Sequence, residues 1–218
     1  MAIHMLRDLE KLKKEILLVG SMVEEATEKA VLALRDRRAD LAEEVKEGDK
    51  EIDDQEIKVE EECLKILALH QPVANDLRFV IAALKVNNDL ERVGDLAGNL
   101  ADRVLYLAGR EPVPVPDQIL AMADRVPSML RRCLDAFVKL DTHMARTIMR
   151  DDEDVDGMHK GIYKVIEEQI AAEPERRTEW IQMLSVSRYL ERIADLATNI
   201  AEDVIFMVDG EVVRHRQW

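Results

Sequence analysis

The chain has 218 residues, of which 47% are hydrophobic and 35% are charged, and its formal net charge is −14 at pH 7. This composition supplies enough apolar material for a core and excludes an intrinsically disordered chain. A strongly acidic surface repels phosphate backbones, so we expect no direct nucleic-acid binding.

Three long helical patterns occupy the first half of the chain. Apolar residues recur at steps of three and four over residues 9–33 and again over 41–66. A third pattern follows Pro72 and covers about 73–109, where Gly109 is a stop signal. Long helices joined by short connections predict an antiparallel three-helix bundle.

The segment 110–116 is the predicted domain boundary. Its three alternating prolines cannot continue a helix and favour a stiff, extended connector. We therefore expect a first domain at residues 1–109 and a second at residues 117–218.

Three further helical patterns follow this connector. The first covers about 119–149, with a bend or restart expected at Pro127. The next runs over about 154–172, and the last over about 177–208. The second half thus predicts another three-helix bundle.

The two halves are one unit repeated. Residues 90–101 align with 190–201 at an offset of 100, and residues 49–53 align with 152–156 at an offset of 103. The predicted fold class is therefore all-α, with two tandem, sequence-related, antiparallel three-helix bundles and six helices in all.

Each half carries acidic residues spaced four apart on two of its helices. Such residues lie on one face of a helix, so each pair presents two carboxylates about one turn apart. Two asparagines continue the line at the same spacing. The candidate metal ligands are Asp49, Asp53, Glu91, Asp95, Asn99, Asp152, Asp156, Glu191, Asp195 and Asn199.

Carboxylate and amide oxygens are the ligands that hard divalent and trivalent cations favour. In the third helix, Glu91 and Asp95 lie opposite the apolar stripe that contains Leu90 and Val93. A metal held there would sit on the outer surface of the bundle. The alternative is a purely structural scaffold, in which the acids form a solvated face neutralised by neighbours such as Arg92.

The sequence offers no other catalytic motif. It contains no phosphate-binding glycine loop, no zinc-type cysteine spacing and no nucleophile elbow. Asp156-x-x-His159 resembles half of a di-iron ligand pair, but di-iron bundles need Glu-x-x-His units, which are missing. A carboxylate-bridged metalloenzyme is therefore the weaker alternative, and we expect a protein that is not an enzyme.

The remaining histidines and the cysteines indicate no further site. We interpret His70, His143 and His215 as connector or surface residues, and Cys63 and Cys133 as buried free thiols that suit a reducing cytoplasm. No apolar run approaches the roughly 20 residues that span a bilayer, and no leader opens the chain. We expect a cytoplasmic protein without membrane insertion.

Four motifs together resemble the PhoU family of phosphate-uptake regulators. They are QPVANDLR at 71–78, DLERVGD at 89–95, YLERIADLATNIAE at 189–202 and RHR at 214–216. The resemblance implies two three-helix bundles whose surface acids bind a multinuclear iron or zinc cluster, with other divalent cations also possible. Here Leu196 stands where the family commonly has histidine, which leaves the nuclearity of the second site open.

Membership in this family also implies a non-enzymatic role in phosphate homeostasis. It implies an adaptor that links components of the phosphate-specific ABC transporter to a sensor histidine kinase and represses the phosphate-starvation response. We also expect a homodimer, because the apolar residues Leu77, Ile81 and Leu84 lie in line with Glu91 and indicate a face covered by a second subunit.

Overall fold

The computed structural model describes residues 2–213, which form six α-helices and contain no strand. The helices are α1 (Ala2–Asp36), α2 (Ala39–His70), α3 (Ala74–Ala108), α4 (Asp117–Lys139), α5 (Thr142–Ala172) and α6 (Arg177–Asp209). The predicted all-α class is confirmed. Within the described part of the chain, none of the helices combines the length and the apolar character that a membrane crossing requires. The motif at 214–216, the histidine within it and the predicted end of the second domain lie outside the described residues.

The six helices pack as two groups of three that also contact each other. Helices α1, α2 and α3 pack together, as do α4, α5 and α6, while α3 packs along α6 and α1 touches α4. Helices α3 and α6 run antiparallel: Lys85 Nζ donates to Asp203 Oδ1 at 3.1 Å near one end, and Arg103 Nη1 donates to Gln182 Oε1 at 2.9 Å nearer the other. The two halves therefore share a long interface.

The first helix begins at Ala2, earlier than the predicted start at residue 9. The sequence pattern missed this turn because its large apolar side chains are not buried: Ile3 is 81% exposed and Leu6 is 57% exposed. A helix segment without a buried stripe shows no apolar period in the sequence.

The prediction of one helical segment over 119–149 that restarts at Pro127 is wrong, while a bend at Pro127 stays a prediction. Helix α4 runs through Pro127 and ends at Lys139, where Leu140 adopts a left-handed conformation with φ of 55°. Asp141 then caps the next helix, because its carboxylate accepts a hydrogen bond from the Met144 N–H at 2.9 Å.

Helix α5 consequently begins at Thr142 and not at residue 154. This correction matters for the candidate site, because Asp152 and Asp156 both lie inside the same regular helix. Their side chains then share one face, as residues four apart do.

The segment 110–116 is extended, as its prolines predict, and it is held against the helices at several points. Val113 is buried, Arg37 Nη2 donates to the Arg110 carbonyl oxygen at 3.0 Å, and Arg176 Nη1 donates to the Pro112 carbonyl oxygen at 3.3 Å. The domain limits on either side of this segment remain a prediction.

Candidate metal centres

The second bundle gathers three carboxylates in the groove between α5 and α6. One oxygen each from Asp152, Asp156 and Asp195 lies within 4.8 Å of the others. The first two are partly buried and lie one turn apart on α5, while Asp195 is an exposed residue on α6. The group therefore opens to solvent on the side of the bundle.

Burial and mutual repulsion disfavour the charged forms of these acids. Burial raises the pKa of Asp152 to about 7, and the charges of Asp195 and Asp156 add to the effect. Although Asp195 reaches solvent, desolvation by the surrounding protein raises its pKa to about 6, with contributions from Glu191 and Asp156. The pKa of Glu191 is raised as well, first by burial and then by the charge of Asp156. Without a cation, this groove carries an excess of negative charge.

The residues of the groove fit a bound cation. Asp152 Oδ1 is buried and has no hydrogen-bond partner among the described residues. A buried carboxylate oxygen without a partner is destabilising, and a cation would satisfy it. Lys160 Nζ lies 3.5 Å from Asp156 Oδ2, but this lysine is largely exposed to solvent. The carboxylate donors match the oxygen ligands that divalent cations use.

The first bundle places its four predicted acids in the corresponding groove between α2 and α3. The pKa of Asp49 is raised by burial and then by the charges of Asp53 and Asp95. The pKa of Glu91 is raised by burial and then by Asp95 and Asp53. The four groups are thus close enough to repel one another. Among the described residues, no three of these four acids bring their carboxylate oxygens within 4.8 Å of one another, as the acids of the second groove do.

The neighbouring arginines do not neutralise these acids by direct contact. Arg92 Nη1 pairs instead with Asp89 Oδ1, at 3.5 Å. The charge of Arg92 has the smallest effect on the pKa of Glu91, which remains raised. In the second bundle the charge of Arg192 likewise opposes, without reversing, the upward pKa shift of Glu191. This geometry speaks against a simple solvated face balanced by arginine.

The two candidate asparagines have different surroundings. Asn99 Nδ2 donates to the backbone carbonyl oxygen of Asp95 at 2.8 Å, so its amide is turned toward its own helix. Asn199 lines a cleft of about 650 Å³ together with Glu56 and Arg92 from the first bundle. The second asparagine therefore faces the neighbouring bundle.

Each groove also contains a polar pair that was not among the predicted metal ligands. In the first bundle, Asn87 Nδ2 donates to Glu56 Oε1 at 2.9 Å. In the second, His159 Nδ1 lies 3.0 Å from Ser187 Oγ. The two pairs are equivalent, because the repeat offsets of 103 and 100 that relate the acids also relate these residues. Extending each aligned acid pair by one helical turn would have found them.

Two of the other histidines considered above lie within the described residues, where one is exposed and one is half-buried. His143 is exposed, as predicted. His70 was predicted to be a connector or surface residue, and this is wrong: its side chain is 12% exposed, and Nε2 lies 2.9 Å from Asp8 Oδ2. This contact ties the end of α2 to the start of α1.

Comparisons with known proteins match nearly the whole chain to one family. The PhoU domain family model matches twice, over residues 16–104 and 119–204. A phosphate-specific transport system accessory protein PhoU homolog from Aquifex aeolicus (strain VF5) is 34% identical over 210 residues, covering 96% of this chain and 95% of that relative. The names of such relatives describe accessory proteins and not enzymes, in agreement with the prediction.

Two solved structures share the architecture. The crystal structure of PhoU from Pseudomonas aeruginosa superposes with a TM-score of 0.91 at 34% identity, covering 94% of this chain and 99% of that one. The phosphate transport system regulatory protein PhoU from Streptococcus pneumoniae gives a TM-score of 0.86 at 32% identity, covering 96% of this chain and 99% of that one.

Proposed function

This chain belongs to the PhoU family, and we propose that it is the accessory regulator of a phosphate-specific transport system, with metal bound in its two acidic grooves. The resemblance inferred from the sequence motifs is thereby confirmed. Relatives that match over nearly their full length carry the name of a transport-system accessory protein, which supports the same role here.

One observation carries the metal-binding part of this proposal. Three carboxylates from two helices converge within 4.8 Å, and Asp152 Oδ1 is buried without a hydrogen-bond partner among the described residues. We propose Asp152, Asp156, Glu191 and Asp195 as ligands in the second groove and their repeat equivalents in the first. When bound, iron, zinc or another divalent cation would supply the missing positive charge and join the two helices of each groove.

The regulatory part of the proposal concerns partners. We propose that the protein acts in the cytoplasm as an adaptor between the components of a phosphate ABC transporter and a sensor histidine kinase. The net charge of −14 favours contact with basic protein surfaces over nucleic acid. We further propose a homodimer that covers the apolar face predicted above, of which Leu77 is 39% exposed.

Deletion of the gene in its host tests the regulatory role. Alkaline-phosphatase output is measured in phosphate-rich medium for wild type, for the deletion strain, and for the deletion strain complemented with this chain. We expect high output in the deletion strain and restored repression after complementation. Unchanged repression in the deletion strain would reject the proposed role.

Elemental analysis of untagged protein tests the metal centres. The wild type is compared with an Asp152→Asn plus Asp195→Asn variant and with a Glu91→Ala plus Asp95→Ala variant. We expect each double substitution to remove the metal of one bundle. Equal metal content in all three proteins would favour the scaffold alternative, in which the acids are only solvated.

A further inference from the structure

We propose that the two metal centres prefer different metals. The polar pair next to the acids of each groove supplies a carboxylate in the first bundle and an imidazole in the second. The carboxylate is that of Glu56, and the imidazole is that of His159. This inference rests on the metal-binding part of the proposed function and extends it to the metal selectivity of each centre.

The position of His159 follows from the helical spacing. It lies three residues after Asp156 on α5, and its partner Ser187 lies two turns before Asp195 on α6. The contact between His159 and Ser187 is therefore the next layer of the groove that holds the converging carboxylates. The charges of Asp156 and Asp195 act on the imidazole, although its ring nitrogens do not join the three carboxylates that converge within 4.8 Å.

The hydrogen bonds of Ser187 favour one tautomer of His159. A serine hydroxyl has one proton, and Ser187 Oγ donates it to the Leu184 carbonyl oxygen at 2.9 Å. With that proton engaged, Ser187 Oγ can accept a bond from a protonated Nδ1 of His159, which lies at 3.0 Å, and this is the tautomer that we infer. Nε2 of the neutral ring then carries a free lone pair. Metal-binding histidines characteristically have their other ring nitrogen held in this way.

In the equivalent pair of the first bundle, the buried Asn87 orients the carboxylate of Glu56. Asn87 is fully buried, and its Nδ2 donates both to Glu56 Oε1 at 2.9 Å and to the Glu56 carbonyl oxygen at 3.0 Å. An amide donor suits a carboxylate, whereas the hydroxyl acceptor of Ser187 suits an imidazole N–H. On each third helix, the buried residue therefore orients a different kind of ligand.

This difference predicts different metal selectivity. The first groove offers only oxygen donors, the set that Mg²⁺, Ca²⁺ and Mn²⁺ favour. The second adds an imidazole nitrogen, which suits Zn²⁺ and Fe²⁺. When several cations are present together, we infer that the first centre binds a hard cation and the second binds a transition metal.

Titration of metal-stripped, full-length protein with Zn²⁺ and with Mn²⁺ tests the inference. The second centre is isolated in an Asp49→Asn plus Asp95→Asn background, and the first in an Asp152→Asn plus Asp195→Asn background. In the former, we expect His159→Glu to weaken Zn²⁺ binding by about tenfold or more, while Mn²⁺ binding changes little. In the latter, we expect Glu56→His to strengthen Zn²⁺ binding relative to Mn²⁺.

A spectroscopic readout separates a ligand from a structural residue. The second centre is loaded with Cu²⁺, and pulsed electron paramagnetic resonance detects nitrogen coupled to the metal. We expect the imidazole nitrogen signal to vanish in His159→Glu and to persist in His143→Gln, which alters an exposed histidine on the same helix. Circular dichroism confirms that each variant is folded before it is loaded.

The outcomes distinguish this inference from the proposed function. If the isolated second centre binds Zn²⁺ and Mn²⁺ with the same relative affinity in wild type and His159→Glu, the inference is wrong and the metal-binding role stands. If neither background binds metal above the level of a protein with all four of these acids changed to asparagine, the metal-binding role itself is wrong.

Discussion

Burial of Asp152 and the negative charges around it suggest a metal ligand, and they also make the stability of the metal-free protein depend on pH. In the unfolded chain this carboxyl loses its proton near its ordinary pKa of 3.8, whereas burial and nearby charges raise its pKa in the folded protein to about 7. Between these values the unfolded state binds fewer protons than the folded state. The stability of the metal-free protein should therefore fall as the pH rises from about 4 to about 7.

Asp152→Asn should accordingly stabilise the metal-free protein at pH 8. We expect a rise in Tm of about 2–4 °C, equivalent to about 1 kcal/mol, which shrinks toward about pH 3, where the carboxyl is largely protonated in both states. Thermal unfolding in the presence of a chelator measures the effect. In excess Zn²⁺ the order should reverse, because metal binding stabilises the wild type and not the variant. A variant less stable than wild type in chelator at pH 8 would contradict this explanation.

The two cysteines give a second prediction at the scale of single residues. Both are free and fully buried, and burial raises the pKa of the Cys63 thiol to about 12 and also raises that of Cys133. A buried thiol that stays protonated is a poor nucleophile. We expect Ellman's reagent to detect almost no thiol in the native protein and both thiols in guanidinium chloride. Rapid reaction of the native protein would show that one helix opens locally.

The acid pairs could be predicted from sequence because their spacing of four residues is a local property of a helix. Glu56 and His159 could not be recognised in the same way, because each is oriented by a hydrogen-bond partner on another helix. His159 was considered only as part of an Asp-x-x-His pattern, and Ser187, its hydrogen-bond partner, is an ordinary serine within a helix. Residue spacing identifies candidate ligands, but it does not show which side chain orients them.

At the scale of helices, the connection between α4 and α5 contains a strained residue. Leu140 has φ of 55° and is 51% exposed, so it occupies a left-handed conformation with little burial to compensate. Such a conformation costs a residue with a Cβ roughly 1–2 kcal/mol, and glycine is free of this strain. Leu140→Gly should therefore stabilise the protein by about 1 kcal/mol and raise Tm by about 2–4 °C.

Leu18 provides a matched control for this substitution. It is also 51% exposed but lies in the middle of α1, so Leu18→Gly should destabilise the protein by about 1 kcal/mol. Chemical unfolding in urea measures both variants against wild type. Destabilisation of similar size in both would show that the conformation of Leu140 is not strained in solution.

The same connection shows why one helix boundary was mispredicted. Pro127 is a strong local signal, but the apolar face of α4 continues past it through Val126, Met129 and Leu130, all of which are buried. Packing of that face outweighs the lost backbone hydrogen bond. The true boundary at Asp141 did have a local signal, because aspartate is a favoured N-cap residue, but no proline or glycine marks it.

At the scale of the molecule, the sequence predicted two bundles but not how they meet. The periodicity of α3 and α6 identifies which side chains are buried, yet it does not say whether they are buried by their own bundle or by the other one. In the structure, α3 and α6 each pack against the other helices of their own bundle and also against each other. Asp203, which is only 1% exposed, accepts a hydrogen bond from Lys85 across this interface.

This shared interface predicts that the two bundles stay together without their connector. A protease site inserted after Pro114, which is exposed, would allow the extended segment 110–116 to be cut in the folded protein. Because α3 and α6 pack along their lengths, we expect the two fragments to elute together from a sizing column at micromolar concentration, which needs an association free energy of roughly −8 kcal/mol. The uncut insertion variant is the control for elution volume. Separation of the fragments, with each still helical by circular dichroism, would instead show that the proposed domains are independent and that the connector holds them together.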